Sequence, residues 1–177
     1  MVRDKERKLK AEVETSMKIR IFTDGACSEN PGPGGWGAVF NREESFDEIG
    51  GYECETTNNR MELMAVVEAF KKVLKEHTRG DRYELYSDSA YVVNSINNNW
   101  IENWRMNGWK TTRGEDVKNK DLWLQFLKLR RKLLDKKISL EIYKVKGHSG
   151  NTFNEYVDKI AKEQVLLARQ QKEVPKK

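Results

Sequence analysis

Apolar and polar residues alternate along Lys18-Ile-Arg-Ile-Phe22, the two-residue period of a half-buried strand. The Gly- and Pro-rich stretch from Asn30 to Gly35 predicts a turn. Gly35 to Phe40 and Ser45 to Tyr52 predict two further strands, and the short links favour an antiparallel meander. The pattern then changes period. Asn58 to Lys75 carries Met61, Met64, Val67, Val73 and Leu74 at helical spacing, and its start is apolar nearly all round, which predicts a well-buried helix. Tyr83 to Ser87 predicts a fourth strand, Ser89 to Ile96 a helix, Asp121 to Leu134 a helix, Ser139 to Val145 a fifth strand and Phe153 to Gln170 a last helix. Residues 97–120 are polar and studded with tryptophan, without a clean period. The order is β-β-β-α-β-α-α-β-α. Strands four and five each follow a helix, so right-handed crossovers should lay them parallel. The expected fold is α/β: a mixed five-stranded sheet, with strands 1-2-3 antiparallel and strands 4 and 5 parallel, and helices on both faces.

The ends of the chain lie outside this pattern. Residues 1–16 mix charges of both signs with almost no apolar residues, and cannot bury enough surface to fold alone. They are expected to form a mobile or helical extension. Residues 17–171 form one domain, and 172–177 a basic tail. A chain of 177 residues is long enough to bury a core without staples. Neither a membrane span nor a secretory leader can be read in it, so a cytoplasmic location is expected. Cys27 and Cys54 fit no metal spacing; two free thiols are the default there, with a single disulfide left open.

Charge changes the picture more than composition does. The net charge is +5, but residues 105–137 hold eleven Lys/Arg against four acids, so the rest of the chain is slightly acidic. Trp100, Trp104, Trp109 and Trp123 fall in or beside that stretch. Basic residues interleaved with flat rings fit a polyanion with apolar faces, meaning nucleic acid. A solvated helix face over ordinary core tryptophans would read the same way.

Four acids stand where acids need an explanation. Asp24 and Asp88 close the first and fourth strands, which should be central neighbours, and functional groups gather at such carboxyl ends. Glu62 lies in the first turns of an otherwise apolar helix. Asp158 lies between Val157 and Ile160 in the last helix. Singly, each has a plain alternative: a turn residue for Asp24, a helix N-cap for Asp88, a dipole partner for Glu62, a surface acid for Asp158. Together they would repel one another, and a divalent cation is the usual way such a cluster is tolerated. Two carboxylate-bridged metals make a clamp for phosphodiester hydrolysis.

Longer stretches carry a resemblance. Thr23-Asp-Gly-Ala-Cys-Ser-Glu-Asn-Pro-Gly-Pro-Gly-Gly-Trp-Gly37 resembles the opening signature of ribonuclease HI. Thr56-Thr-Asn-Asn-Arg-Met-Glu-Leu-Met-Ala65 is similar to that family's helix motif, and Ser87-Asp-Ser-Ala-Tyr-Val92 to its third acidic motif. Trp100 to Thr112 resembles the basic protrusion of the bacterial type. Val145-Lys-Gly-His-Ser-Gly-Asn151 with Asn154-Glu-Tyr-Val-Asp158 resembles its histidine loop and fourth acid. The match runs in unbroken order from about Lys18 to Leu167.

The resemblance implies a ribonuclease H-like fold and an endonuclease that hydrolyses the RNA strand of an RNA–DNA hybrid. It implies two Mg²⁺ ions, with Mn²⁺ as the expected substitute, held by Asp24, Glu62, Asp88 and Asp158. It implies products with 5′-phosphate and 3′-hydroxyl ends, a monomer, and a catalytic role for His148, whose flanking Gly147 and Gly150 make a permissive loop. Asn30, Asn58 and Asn59 fall on positions that touch the hybrid near the minor groove. Thr57 and Asn119 fall on a pocket for a DNA phosphate, and Trp100, Trp104 and Thr112 on the channel for the DNA strand. Two positions depart from relatives. Ala90 replaces a longer side chain, and Glu55 stands where some members carry a basic phosphate contact, which should weaken that pocket. A reverse-transcriptase-type nuclease domain and a catalytically silent hybrid-binding module are the competing readings.

Overall fold

The computed structural model describes residues 2–145 and 152–173, with residues 10–15 described as backbone. The elements are α1 (Val2–Thr15), β1 (Lys18–Cys27), β2 (Gly32–Arg42), β3 (Ser45–Thr56), α2 (Asn58–Glu76), β4 (Arg82–Ser87), α3 (Ala90–Asn97), α4 (Trp100–Met106), α5 (Lys120–Asp135), β5 (Ser139–Lys144) and α6 (Thr152–Glu173). The five strands form one sheet in the order β3-β2-β1-β4-β5. β2 pairs antiparallel with β1 and β3, and β4 pairs parallel with β1 and β5. The expected mixed sheet is what forms, with β1 and β4 as central neighbours.

Alternation along β1 explains the two layers. Ile19 and Ile21 face α2 and α5, joining Leu63, Phe70, Trp123 and Phe126 in the main core. Phe22 faces the other way, into a smaller core with Val39, Val157 and Ile160 beneath α6. Burying a side chain of this kind is worth roughly 1.5–3 kcal/mol, so this two-sided pattern sets the register. Helix α5 packs on α2 through the Phe70 and Phe126 rings, 5.2 Å apart. Residues 2–9 of α1 are exposed.

Three extents differ from the periodicity. β1 continues past Asp24 to Cys27, and β3 past Tyr52 to Thr56. β2 begins at Gly32, inside the stretch read as a turn. Its glycines answer to packing more than to bending. A Cβ on Gly35 would lie 2.6 Å from the Ala161 carbonyl oxygen and 2.7 Å from the Val165 nitrogen, so only glycine lets α6 lie this close to the sheet. The aperiodic segment also holds a short helix, α4, anchored by buried Ile101. Both cysteines are free thiols.

Candidate active site

Parallel pairing of β1 with β4 ends at Thr23 opposite Ser87. The next residue of each strand is an aspartate, so Asp24 and Asp88 leave the sheet side by side at its carboxyl edge. Asp24 shares the α6 face of β1 with Phe22, which turns it toward Asp158 in the second turn of α6. Gly25 serves the opposite face. A Cβ there would stand 2.3 Å from the Glu62 backbone nitrogen, so the glycine admits the start of α2 and brings Glu62 to the same edge. The plain reading of Asp88 as a helix cap fails, because the cap of α3 is Ser89, whose Oγ accepts from the Val92 N–H at 3.1 Å.

The cluster is electrostatically loaded. Asp24 is only 9% exposed. Burial, then Asp88, then a hydrogen bond with Asp158 push its carboxyl up to about 8, against a smaller opposing effect of the Gly25 N–H, which donates to Oδ1 at 2.9 Å. Glu62 is raised to about 6 by burial and Asp88, although the Ser89 hydroxyl donates to its Oε2 and works the other way. Asp158 is paired with Lys162 at 2.8 Å. One cleft is lined by Asp24, Asp88 and Asp158 together with Asn154 and Glu155. Among the described residues no three acid, His or Cys side chains yet converge in ligating geometry. Each of these acids is held by a neighbour instead: Asp24 by Asp158, Glu62 by Ser89, and Asp158 by Lys162. Each can be exchanged by a carboxylate that finds a cation. Carboxylate oxygens are the donors that hard divalent ions take, and burial with mutual repulsion is the condition such an ion relieves, so these residues fit the group.

A second set gathers on the neighbouring edge. Thr57 caps α2, its Oγ1 accepting from the Arg60 N–H at 3.2 Å. The Asn58 N–H donates to Asn30 Oδ1 at 3.2 Å, which brings those two asparagines together, and Asn59 is exposed beside them. Asn119 has φ near +61°, a conformation asparagine tolerates. Its Oδ1 accepts from Arg60 Nη1 at 3.4 Å, and its amide donates to the Tyr91 hydroxyl at 3.2 Å. Arg60 therefore spans Thr57 and Asn119, while its guanidinium also pairs with Asp121 at 2.7 Å. Trp100, Trp104 and Thr112 line an open channel along the protrusion with Lys110. Trp100 is 40% exposed. Trp104 is half-buried, its ring 6.0 Å from fully buried Trp123, so it also builds the floor of the channel.

His148 lies outside the described residues. Sequence reasoning passed over three side chains at these sites: Ser89, Arg60 and Asn154. The first two act through a cap and an ion network, which need the third dimension to be seen. Asn154 had a legible signal, since it is four residues before Asp158 and so shares its helix face.

The chain is similar to known proteins over most of its length. The RNase H family model matches residues 16–166. The ribonuclease H of Syntrophomonas wolfei is 51% identical over 147 residues, 82% of this chain and 94% of that protein. The ribonuclease H of Acetivibrio thermocellus is 48% identical over 148 residues, 84% of this chain and 95% of that protein. Among solved structures, LC9-RNase H1, a type 1 RNase H with the type 2 active-site motif, superposes with a TM-score of 0.70 at 28% identity, over 86% of this chain and 74% of that one. LC11-RNase H1 in complex with RNA/DNA hybrid shares the fold, with a TM-score of 0.61 at 24% identity, over 85% of this chain and 99% of that one. The mixed sheet in the order β3-β2-β1-β4-β5, flanked by helices, defines the class of ribonuclease H-like folds. Within that class, the chain belongs to the RNase H family of enzymes.

Proposed function

We propose that the protein is an endonuclease that hydrolyses the RNA strand of an RNA–DNA hybrid with two divalent ions, Mg²⁺ by preference and Mn²⁺ in its place. The observation that carries this reading is that Asp24, Asp88 and Asp158 line one cleft, with the backbone of Glu62 packed against Gly25 beside it. When bound, the ions supply activation of the attacking water and stabilisation of the leaving 3′ oxygen, which leaves 5′-phosphate and 3′-hydroxyl ends. Asp24, Glu62, Asp88 and Asp158 would hold them. Asp24 must give up its proton and its bond to Asp158 to do so, and Glu62 must turn from Ser89. His148 assists proton movement or product departure. Asn30, Asn58 and Asn59 read the hybrid where 2′-hydroxyls distinguish RNA from DNA. Thr57 and Asn119 grip a phosphate of the DNA strand, with Arg60 holding the pair in place. Trp100, Trp104 and Thr112 take the deoxyribose strand along the protrusion.

The protein works as a monomer in the cytoplasm. No helix among the described residues is long and apolar enough to cross a membrane. The deciding experiment is cleavage of matched hybrid, duplex RNA and duplex DNA, with and without Mg²⁺. Cutting confined to the RNA strand of the hybrid, and only with metal, is the expected result. Binding without cleavage would favour a silent hybrid-binding module instead.

A further inference from the structure

Helix α6 continues beyond the region that matches the family. The match ends at residue 166 and the helix at Glu173. Val165 and Ala168 are buried against the sheet, so the last turns continue an anchored helix. From that end Lys172 reaches back and places Nζ 2.9 Å from Glu55 Oε2. Glu55 stands one residue before the end of β3 and two before Thr57, on the edge where Asn30, Thr57 and Asn58 gather.

That edge is unexpectedly acidic for a surface meant to meet a polyanion. It carries Glu29, Glu53 and Glu55. Glu53 faces the Arg60 guanidinium at 3.5 Å. Glu55, and more weakly Glu29, raise the Lys172 ammonium above its ordinary value, so among the described residues Lys172 is a cation answering both. The pair is too exposed, at 51% and 62%, to add much to fold stability. Its consequence is the local field. An uncompensated Glu55 would repel a phosphate arriving at Thr57.

Resting on the hybrid-cleaving function proposed above, we infer that Lys172 is a positioning residue for substrate: it neutralises Glu55 and so opens the Thr57 edge to a nucleic-acid phosphate. The departure at Glu55, which in isolation weakens that pocket, is thereby offset by a residue more than a hundred positions away.

The test compares wild type, Lys172→Ala, Glu55→Gln and the double variant for hybrid binding in Ca²⁺ across a salt series, beside single-turnover cleavage in Mg²⁺ at saturating hybrid. Lys172→Ala should weaken binding about three- to five-fold at low salt, the size of one exposed charge–charge interaction. The gap should close as salt rises. The double variant should bind like wild type, and saturating rates should stay equal throughout, with equal melting temperatures confirming intact folds. Wild-type affinity in Lys172→Ala overturns the inference. A double variant as weak as Lys172→Ala overturns it too, because Lys172 would then touch the phosphate itself. A wild-type chain that neither binds nor cuts hybrid overturns the underlying function and this inference with it, whereas a cleaving wild type with an indifferent Lys172→Ala overturns the inference alone.

Discussion

At the scale of the residue, the site is a set of carboxylates held in partnerships that a cation would dissolve. Asp88 is the member whose alternative explanation is removed most cleanly, since Ser89 does the capping of α3. Replacing Asp88 with Asn should therefore abolish measurable cleavage in Mg²⁺ while leaving hybrid affinity in Ca²⁺ within a few-fold of wild type. An amide keeps the shape of the side chain but not its anionic oxygen. Turnover near the wild-type rate would show that Asp88 is not part of the metal site. Ser89 offers a graded companion. It caps α3 and donates to Glu62, so Ser89→Ala should cost about 1 kcal/mol of stability through the missing cap. Thermal denaturation measures that, and an unchanged melting temperature would mean the cap contributes nothing.

Elements differ in how much of them the chain displays along its length. Long periodic segments were legible: α2, α5 and α6 fall where helical spacing puts them, and the parallel pairing of β4 and β5 follows from each being preceded by a helix. The side-by-side exit of Asp24 and Asp88 was legible because β1 leads the meander outward and β4 begins the other half of the sheet, which makes the two central neighbours. What escaped were features whose cause is tertiary. Gly32 to Gly35 read as a turn, yet they are strand residues, with Gly35 lying under α6, and no local pattern announces a helix from the far end of the chain. Helix α4 spans only Trp100–Met106, too short for periodicity to speak. The protrusion it opens yields the next prediction. Replacing Lys110, Arg113 and Lys118 together with Ala should weaken hybrid binding and reduce the slope of log affinity against log salt by about 2–3, close to 0.9 for each phosphate that is no longer neutralised. Lys110 already pairs with Asp116, which favours the lower end of that range. For the flat rings, Trp100→Ala is the cleaner probe, since Trp104 packs over Trp123 and its removal would loosen the channel floor. Trp100→Ala should weaken binding with the slope unchanged. A salt titration of binding decides both, and an unaltered slope in the triple variant would remove the protrusion from the binding surface.

For the whole molecule, the cost of gathering four acids should appear as a dependence of stability on pH and on metal. In the native state Asp24 keeps its proton up to about pH 8, while in the unfolded chain it loses it near the ordinary 3.8. Between those values the native state binds more protons than the unfolded one, so stability falls as pH rises through that window. Glu62 adds a smaller decline between its ordinary 4.5 and about 6. Below about pH 4 both states are protonated and the penalty vanishes; above about 8 both are ionised and it is complete. Carboxylates lowered by basic partners, such as Asp121 beside Arg60, act in the opposite sense but at the acid end of the scale, outside most of this window. The metal-free protein should accordingly melt at progressively lower temperature from about pH 5 to about pH 8, and Asp24→Asn should be more stable than wild type at the upper end and show a flatter profile. Mg²⁺ should reverse the decline in wild type, because an ion bound only by the native state stabilises it by mass action. At a hundred-fold excess over its dissociation constant the gain is about 2.7 kcal/mol. For a chain of this size that is a rise of about 5–10 °C in Tm. The gain should be larger at the alkaline end than at the acid end, since the ion must displace the Asp24 proton at the lower pH, and it should be much reduced in Asp24→Asn. Melting curves of both proteins at several pH values, with and without Mg²⁺, separate the two contributions. A wild-type Tm indifferent to Mg²⁺ but raised by Asp24→Asn would mean that the acids repel one another without holding a metal.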